Sequence, residues 1–353
     1  MKSTWSILSV CGAGLVACSN GGTDGSITGS GGGKSTSAGT QATGSGGAGG
    51  FVAAEGSKTV VFGPIDVPAG VEKTQCVTKL LGNDASMHVG AIHNQLIGVS
   101  HHMIVYKVAD TVEQPAPYDC TAFSATLDPS KGAPLMITQK HDEVLTLPDG
   151  VAFTLQPQQM VRLEMHSINA TQTAASIEGR ATFSPITDAQ FQNEAGFLFA
   201  GSIDINLQPN QTAAVDAFIK APADLAGKNF FGFTGHEHKF GTGVTVSVGQ
   251  TKTDPGVPAY DDPAFTWSEP PTQYHKPPMV LPAGSGFHLK CNFDNTSPDV
   301  VKFGELATDE MCFFWSYYYP DAGARVCFHT DQSGGFDLCC PGGPAQLCAQ
   351  FAK

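Results

Sequence analysis

From Lys58 onward the chain is a succession of short apolar, β-branched and aromatic runs separated by Gly, Pro, Asn and Asp. Residues 59–62, 102–108, 161–166, 179–183, 202–207, 212–219, 244–248, 287–292 and 312–319 each carry the composition of a strand. The stretch Val161-Arg162-Leu163-Glu164-Met165-His166 alternates, with its apolar residues on one face and Arg162, Glu164 and His166 on the other. That is the period of two expected of a half-buried strand. No run keeps a helical period, and residues 224–227 predict at most one helical turn. Strands at this spacing predict an all-β chain built as sandwiches or barrels. The polar stretch 185–196 predicts a boundary, dividing the body into residues 56–187 and 188–353.

Upstream, Lys2 precedes an apolar run over residues 5–17 that is too short for a settled transmembrane helix. It ends in Leu15-Val16-Ala17-Cys18, which resembles the bacterial lipobox and implies cleavage before Cys18 with a lipid on its sulfur. A plain signal peptide is the alternative, and either one exports the chain. Residues 19–55 are rich in Gly, Ser and Thr and predict a flexible tether to the folded body. The expected location is the bacterial cell envelope or surface, with membrane contact only through Cys18. A formal net charge of −13 offers no basic stripe for phosphates and argues against a nucleic-acid partner. Setting aside Cys11 and Cys18 leaves Cys76, Cys120, Cys291, Cys312, Cys327, Cys339, Cys340 and Cys348. An even set in an exported chain predicts disulfides. Cys339 and Cys340 are adjacent, which does not suit a zinc ribbon.

The histidines carry the chemistry. His236 and His238 stand two apart at the end of a β-type run, so both imidazoles project to one side and can grip one ion. Imidazole suits copper, zinc, iron and nickel alike, and the pair alone does not choose. His101 and His102 are neighbours and would face opposite sides of a regular strand, so joint ligation needs a bulge or a strand end. His166 ends the alternating strand on its polar face. Met311, ahead of the aromatic run Phe313-Phe314-Trp315, reads on composition alone as core packing.

His101-His102-Met103, Met165-His166, His236-Glu237-His238 and Glu310-Met311-Cys312 followed by Tyr318-Tyr319-Pro320 resemble, in this order, the copper type II, ascorbate-dependent monooxygenases. That family includes dopamine β-monooxygenase and peptidylglycine α-hydroxylating monooxygenase. The resemblance implies two antiparallel, jelly-roll-like β-sandwich domains in tandem, one copper on each, facing across a solvent-filled cleft. His101, His102 and His166 would hold the electron-transfer copper. His236, His238 and Met311 would hold the catalytic, oxygen-binding copper, where a soft thioether favours Cu(I). Cys76 with Cys120 and Cys291 with Cys312 would match family disulfides. The implied activity is hydroxylation of a small-molecule C–H bond by O2, with ascorbate or another one-electron donor as co-substrate. A non-catalytic copper-binding or electron-transfer surface lipoprotein is the alternative.

The chain also departs from the family. Thr234 stands where the peptide-amidating branch carries an arginine, and Phe313 and Trp315 stand where it carries asparagine and tyrosine. A glycine-extended peptide would find little to hold it. Phe313, Phe314 and Trp315 read as core, or, where they share the Met311 face, as the lining of an apolar substrate pocket. Cys327 lacks the family's upstream partner and is expected to pair among Cys339, Cys340 and Cys348. His88, His93, His141, His275, His288 and His329 fit no ligand motif and read as ordinary histidines.

Overall fold

The computed structural model describes residues 50–121, 123, 132–332, 335–341 and 348; the expected signal segment 1–18 and most of the expected tether 19–55 lie outside them. The first half of the body forms two sheets. One runs β1 (Lys58–Val67), β10 (Ala175–Ile186), β3 (Met87–Gly98), β8 (Val151–Leu155), β11 (Asn193–Glu194), with β7 (Asp142–Thr146) also on β3. The other runs β5 (Gln114–Asp119), β2 (Glu72–Leu80), β9 (Met160–Ile168), β4 (Ser100–Val108), β6 (Ala133–Thr138). In the second half the largest sheet runs β18 (Gln273–Val280), β15 (Asn229–His236), β21 (Cys312–Tyr319), β12 (Gly196–Ser202), β22 (Arg325–Thr330), β23 (Phe336–Cys340). A four-stranded sheet, β14 (Gln211–Lys220), β19 (Gly286–Asn295), β16 (Gly241–Gly249), β17 (Val257–Asp261), and the pair β13 (Asn206–Leu207) with β20 (Val301–Lys302) complete it. Pairing is antiparallel except at β8/β11 and β12/β22. The all-β sandwich expectation is met.

Three local expectations are refined. Residues 202–207 are not one strand, because β12 stops at Ser202 and Asn206–Leu207 pairs elsewhere with β20. The stretch 185–196 is tied down, since Asn193–Glu194 adds a strand to β8 and Thr154 donates its N–H to Glu194 Oε1 at 2.8 Å. The polar face of β9 is largely shut off from water: Glu164 and His166 are buried along with Leu163 and Met165, and only Arg162 keeps partial exposure.

Two apolar cores explain the last point. One, with Phe62, Ile92, Met103 and Leu163, continues onto Phe197, Phe199, Met311, Phe313 and Trp315. The other gathers Leu198, Ala200, Phe230, Phe287 and Phe314. Alternate residues of β12 and β21 therefore enter opposite cores. A strand covered on both faces has no solvent side to reserve for polar residues, so Cys312-Phe313-Phe314-Trp315 reads as an unbroken apolar run. Each such large side chain contributes about 1.5–3 kcal/mol by burial.

The eight cysteines form four disulfides. Cys76–Cys120 and Cys291–Cys312 are as the resemblance implied, and Cys327–Cys339 with Cys340–Cys348 settle the C-terminal group. The Cys291–Cys312 bridge joins β19 to β21, tying the two main sheets of the second half; a loop of this size contributes about 3 kcal/mol.

The double-sided packing of β12 makes a test. Gly201 lies opposite Phe313, and a Cβ there would sit 2.1 Å from Phe313 Cδ1 and 2.4 Å from the Cys312 carbonyl oxygen. Gly201→Ala should therefore destabilise by about 1–3 kcal/mol through overpacking. Gly243→Ala, whose nearest new neighbour is 3.6 Å away, should not. Denaturant melts of the two variants read the difference.

Candidate metal centre

β4 and β9 bring the first three histidines together. His102 lies directly opposite His166, and the register slips between Ser100 and His102, leaving His101 as the extra residue of a bulge. A bulge is what two adjacent histidines need to turn to one side. Ligand atoms of His101, His102 and His166 all lie within 4.8 Å of one another. The ring of His166 is fixed from behind: its Nε2 donates to Glu72 Oε1 at 2.9 Å, which leaves Nδ1 as the inward lone pair. Glu72 Oε1 also accepts the Ala307 N–H at 3.1 Å, from the second half of the chain. The bond from His166 holds the Glu72 carboxyl down at about 2. Burial, reinforced by neighbouring imidazoles, pushes His101 down to about 3 and His102 well below the usual range. These two rings stay neutral, the form a metal ligand must take.

The second set lies where β15 ends and β21 begins. His236 pairs with Phe313, and continuing that antiparallel register by two residues sets Met311 opposite His238. A buried carboxylate shapes this corner. Glu310 accepts the N–H of His238 at 2.8 Å and of Phe240 at 2.6 Å, so the chain leaving β15 folds back over the start of β21. Burial raises Glu310 to about 7. Glu237 points away from its flanking histidines, accepts the Gly243 N–H at 3.1 Å, and is pushed up to about 9 by burial. His236 Nδ1 donates to Gln139 Oε1 at 3.0 Å, leaving Nε2 free. Gln139 Nε2 in turn donates to the Trp267 carbonyl at 3.1 Å. His238 Nδ1 faces the Asp309 carbonyl at 3.3 Å, and burial pushes this ring down to about 4.

Aromatic rings lie between and against the two sets. The Phe123 ring lies 5.0 Å from the His102 ring and 5.7 Å from the His236 ring, and Trp267 stacks on His101 at 5.1 Å. His102, His166, His236 and His238 are each 5% exposed or less. The core of the first half runs on through Phe123, Phe199 and Phe313. Phe313 and Trp315 do share the Met311 face, but as buried core rather than pocket lining. A cavity of about 230 Å³ bounded by Glu72, His166, Cys120 and Glu305 reaches the three-histidine set.

The donors fit a metal. His101 Nε2, His102 Nε2, His166 Nδ1 and His236 Nε2 are buried nitrogens with no hydrogen-bond partner. Buried polar atoms are rarely left so, and a cation would satisfy them. Five of the six expected ligands are thus imidazoles in two groups, and the sixth, Met311, is buried just ahead of β21, next to Glu310, which accepts the His238 N–H. Thr234 is buried with its hydroxyl against Thr272 at 2.8 Å, and it offers no charge to a substrate carboxylate. Of the other histidines, His93 pairs with Asp142 at 2.9 Å, His141 with the Leu96 carbonyl and His275 with the Ala259 carbonyl, as ordinary histidines do.

Sequence reasoning missed Glu72 and Gln139. Neither lies near a ligand in the chain, and only strand register and the packing of one half on the other bring them to the rings. Loss of such an outer partner typically costs 10–100-fold in metal affinity. Glu72→Ala should weaken copper at the three-histidine set by about that factor, and Gln139→Leu should do so at the His236 set. Copper titration followed by electron paramagnetic resonance would resolve the two populations; equal weakening of both by either variant would contradict the assignment.

No curated protein matches this chain. The major capsid protein P2 of bacteriophage PM2 is similar at 11% identity, covering 74% of this chain and 97% of its own, with a TM-score of 0.31. The tail fibre protein gp63.1 of an E. coli phage is similar at 9% identity over 76% of this chain and 38% of its own, with a TM-score of 0.21. Residues 194–336 match the copper type II ascorbate-dependent monooxygenase C-terminal domain. That span contains His236, His238 and Met311, and it ties the second half of the chain to the copper type II ascorbate-dependent monooxygenase family.

Proposed function

We propose that this chain is an exported copper monooxygenase that hydroxylates a substrate C–H bond with O2 and a one-electron donor such as ascorbate. The observation that carries the reading is the set of buried ring nitrogens without partners on His101, His102, His166 and His236, with His236 paired to Phe313 two residues after Met311. Residues 56–187 would contribute one copper through His101, His102 and His166. Residues 188–353 would contribute the other through His236, His238 and Met311. Copper, when bound, supplies one-electron transfer and activation of O2. The chain's own groups do the rest. Glu72 and Gln139 hold the tautomers of His166 and His236, Glu310 holds the corner that carries His238 and Met311, and Phe123 and Trp267 keep water from the rings. Thr234, Phe313 and Trp315 disfavour a peptidylglycine substrate, since none offers a charge to its carboxylate.

A second reading, copper binding or electron transfer without C–H chemistry, is favoured by the burial of the His236 set, at 1% exposure for His236 and 4% for His238. Oxygen uptake separates the two. With copper and ascorbate, the native chain should consume oxygen and form hydroxylated product from a panel of phenethylamines and related compounds. Met311→Ile should lose that activity with the three-histidine copper still loaded. Reduction by ascorbate without product from any substrate would establish the second reading.

The anchor at Cys18 belongs to the same proposal and lies outside the described residues. Cys18→Ser should release the protein from the membrane fraction, and mass spectrometry of the native N-terminus should find a diacylglyceryl group on Cys18.

A further inference from the structure

Asp204, His329 and Asp331 form a second metal-capable cluster that uses none of the copper ligands; their ligand atoms lie within 4.8 Å of one another. The strands build it. β12 and β22 run parallel with Ser202 beside His329, and the chain beyond β12 turns across the end of β22, bringing Asp204 to Thr330 and Asp331. Asp204 accepts from the Thr330 hydroxyl at 2.6 Å, from Gln332 Nε2 at 3.1 Å and from the Asp331 N–H, so this carboxylate is held in place.

His329 is the informative member. It is 7% exposed, and its Nδ1 donates to Asp337 Oδ1 at 2.8 Å. Asp337 is itself fixed: it lies opposite His329 on β23, accepts the Lys220 N–H at 2.9 Å, and its strand is bridged to β22 by Cys327–Cys339. With Nδ1 so engaged, Nε2 carries the lone pair. That nitrogen is buried without a hydrogen-bond partner and lies 3.5 Å from Asp331 Oδ1. A carboxylate orienting an imidazole whose other nitrogen faces two further carboxylates is the outer-and-inner arrangement of a metal site. A groove of about 420 Å³, lined by Ser202, Asp204, Asp216 and Asp331 among others, gives access from solvent.

We propose that Asp204, His329 and Asp331 bind a divalent cation of the zinc type. One nitrogen and two carboxylate oxygens suit a borderline ion better than calcium, which takes six to eight oxygens. Lys252 is the built-in competitor, with Nζ 3.2 and 3.4 Å from the two oxygens of Asp331. A bound cation must displace that ammonium, so Lys252 sets the affinity.

The test uses the full chain, first loaded with copper and freed of excess, then titrated with Zn²⁺ alone. Copper and zinc are both measured after gel filtration. The native chain should retain one zinc per chain beyond its copper. Asp331→Asn, at an exposed position, should weaken zinc by roughly tenfold or more, and Lys252→Ala should tighten it. A folding role alone would predict neither the opposite signs nor any dependence on zinc. Zinc binding equal in the native chain and Asp331→Asn, or absent from the native chain and Lys252→Ala alike, would overturn the site. Copper content in the same samples judges the copper ligands separately.

Discussion

Imidazoles buried beside one another are costly to protonate, and the centre of this protein is arranged around that constraint. Removing a charged ring from water costs far more than removing a neutral one, and each neighbouring imidazole adds to the penalty. His101, His102, His236 and His238 are therefore held neutral with a lone pair to offer. A neutral ring has two tautomers, and only one aims that lone pair inward. Glu72 selects it for His166 and Gln139 selects it for His236, each by accepting the opposite N–H.

The two orienting residues also join the halves of the chain. Glu72, in β2, receives the Ala307 N–H from the second half, while Gln139, just beyond β6, reaches across to His236 and the Trp267 carbonyl. The contacts that orient ligands and the contacts that hold the two halves are thus partly the same. Between them lies the doubly buried layer of β12 and β21, whose alternate residues enter two cores. The Met311 face of β21 looks toward the histidines, while Cys312 on the reverse face is bridged to β19. Ligand position at this corner therefore depends on core packing and on a disulfide, with Glu310 supplying the polar clasp.

The C-terminal region has a different logic. Cys327–Cys339 pins β23 to β22 and so places Asp337 against His329. Its carboxylates are open to solvent on one side, unlike the buried histidine sets, and Lys252 already offsets part of their charge.

The all-β character, the clustering of His101, His102 and His166 and the even cysteine set were legible in the sequence, because each rests on local chemistry. A period of two makes a strand, two histidines two apart share a face, and adjacent histidines that ligate together need a bulge or a strand end. What the sequence left open depends on residues far apart in the chain. Whether Glu164 and His166 meet water was decided by the packing of β9 beneath a second layer, which strand alternation alone misjudged. The run at residues 202–207 looked continuous, yet the chain leaves β12 at Ser202 to pair with β20. The pairing among Cys327, Cys339, Cys340 and Cys348 required strand register. Glu72, Gln139 and the cluster around His329 carry no motif, since their meaning comes from partners 94, 97 and 8 residues away brought to hydrogen-bond distance by folding. Local pattern determines which side chains can bind a metal; tertiary packing alone decides which of their atoms are aimed, oriented and kept dry.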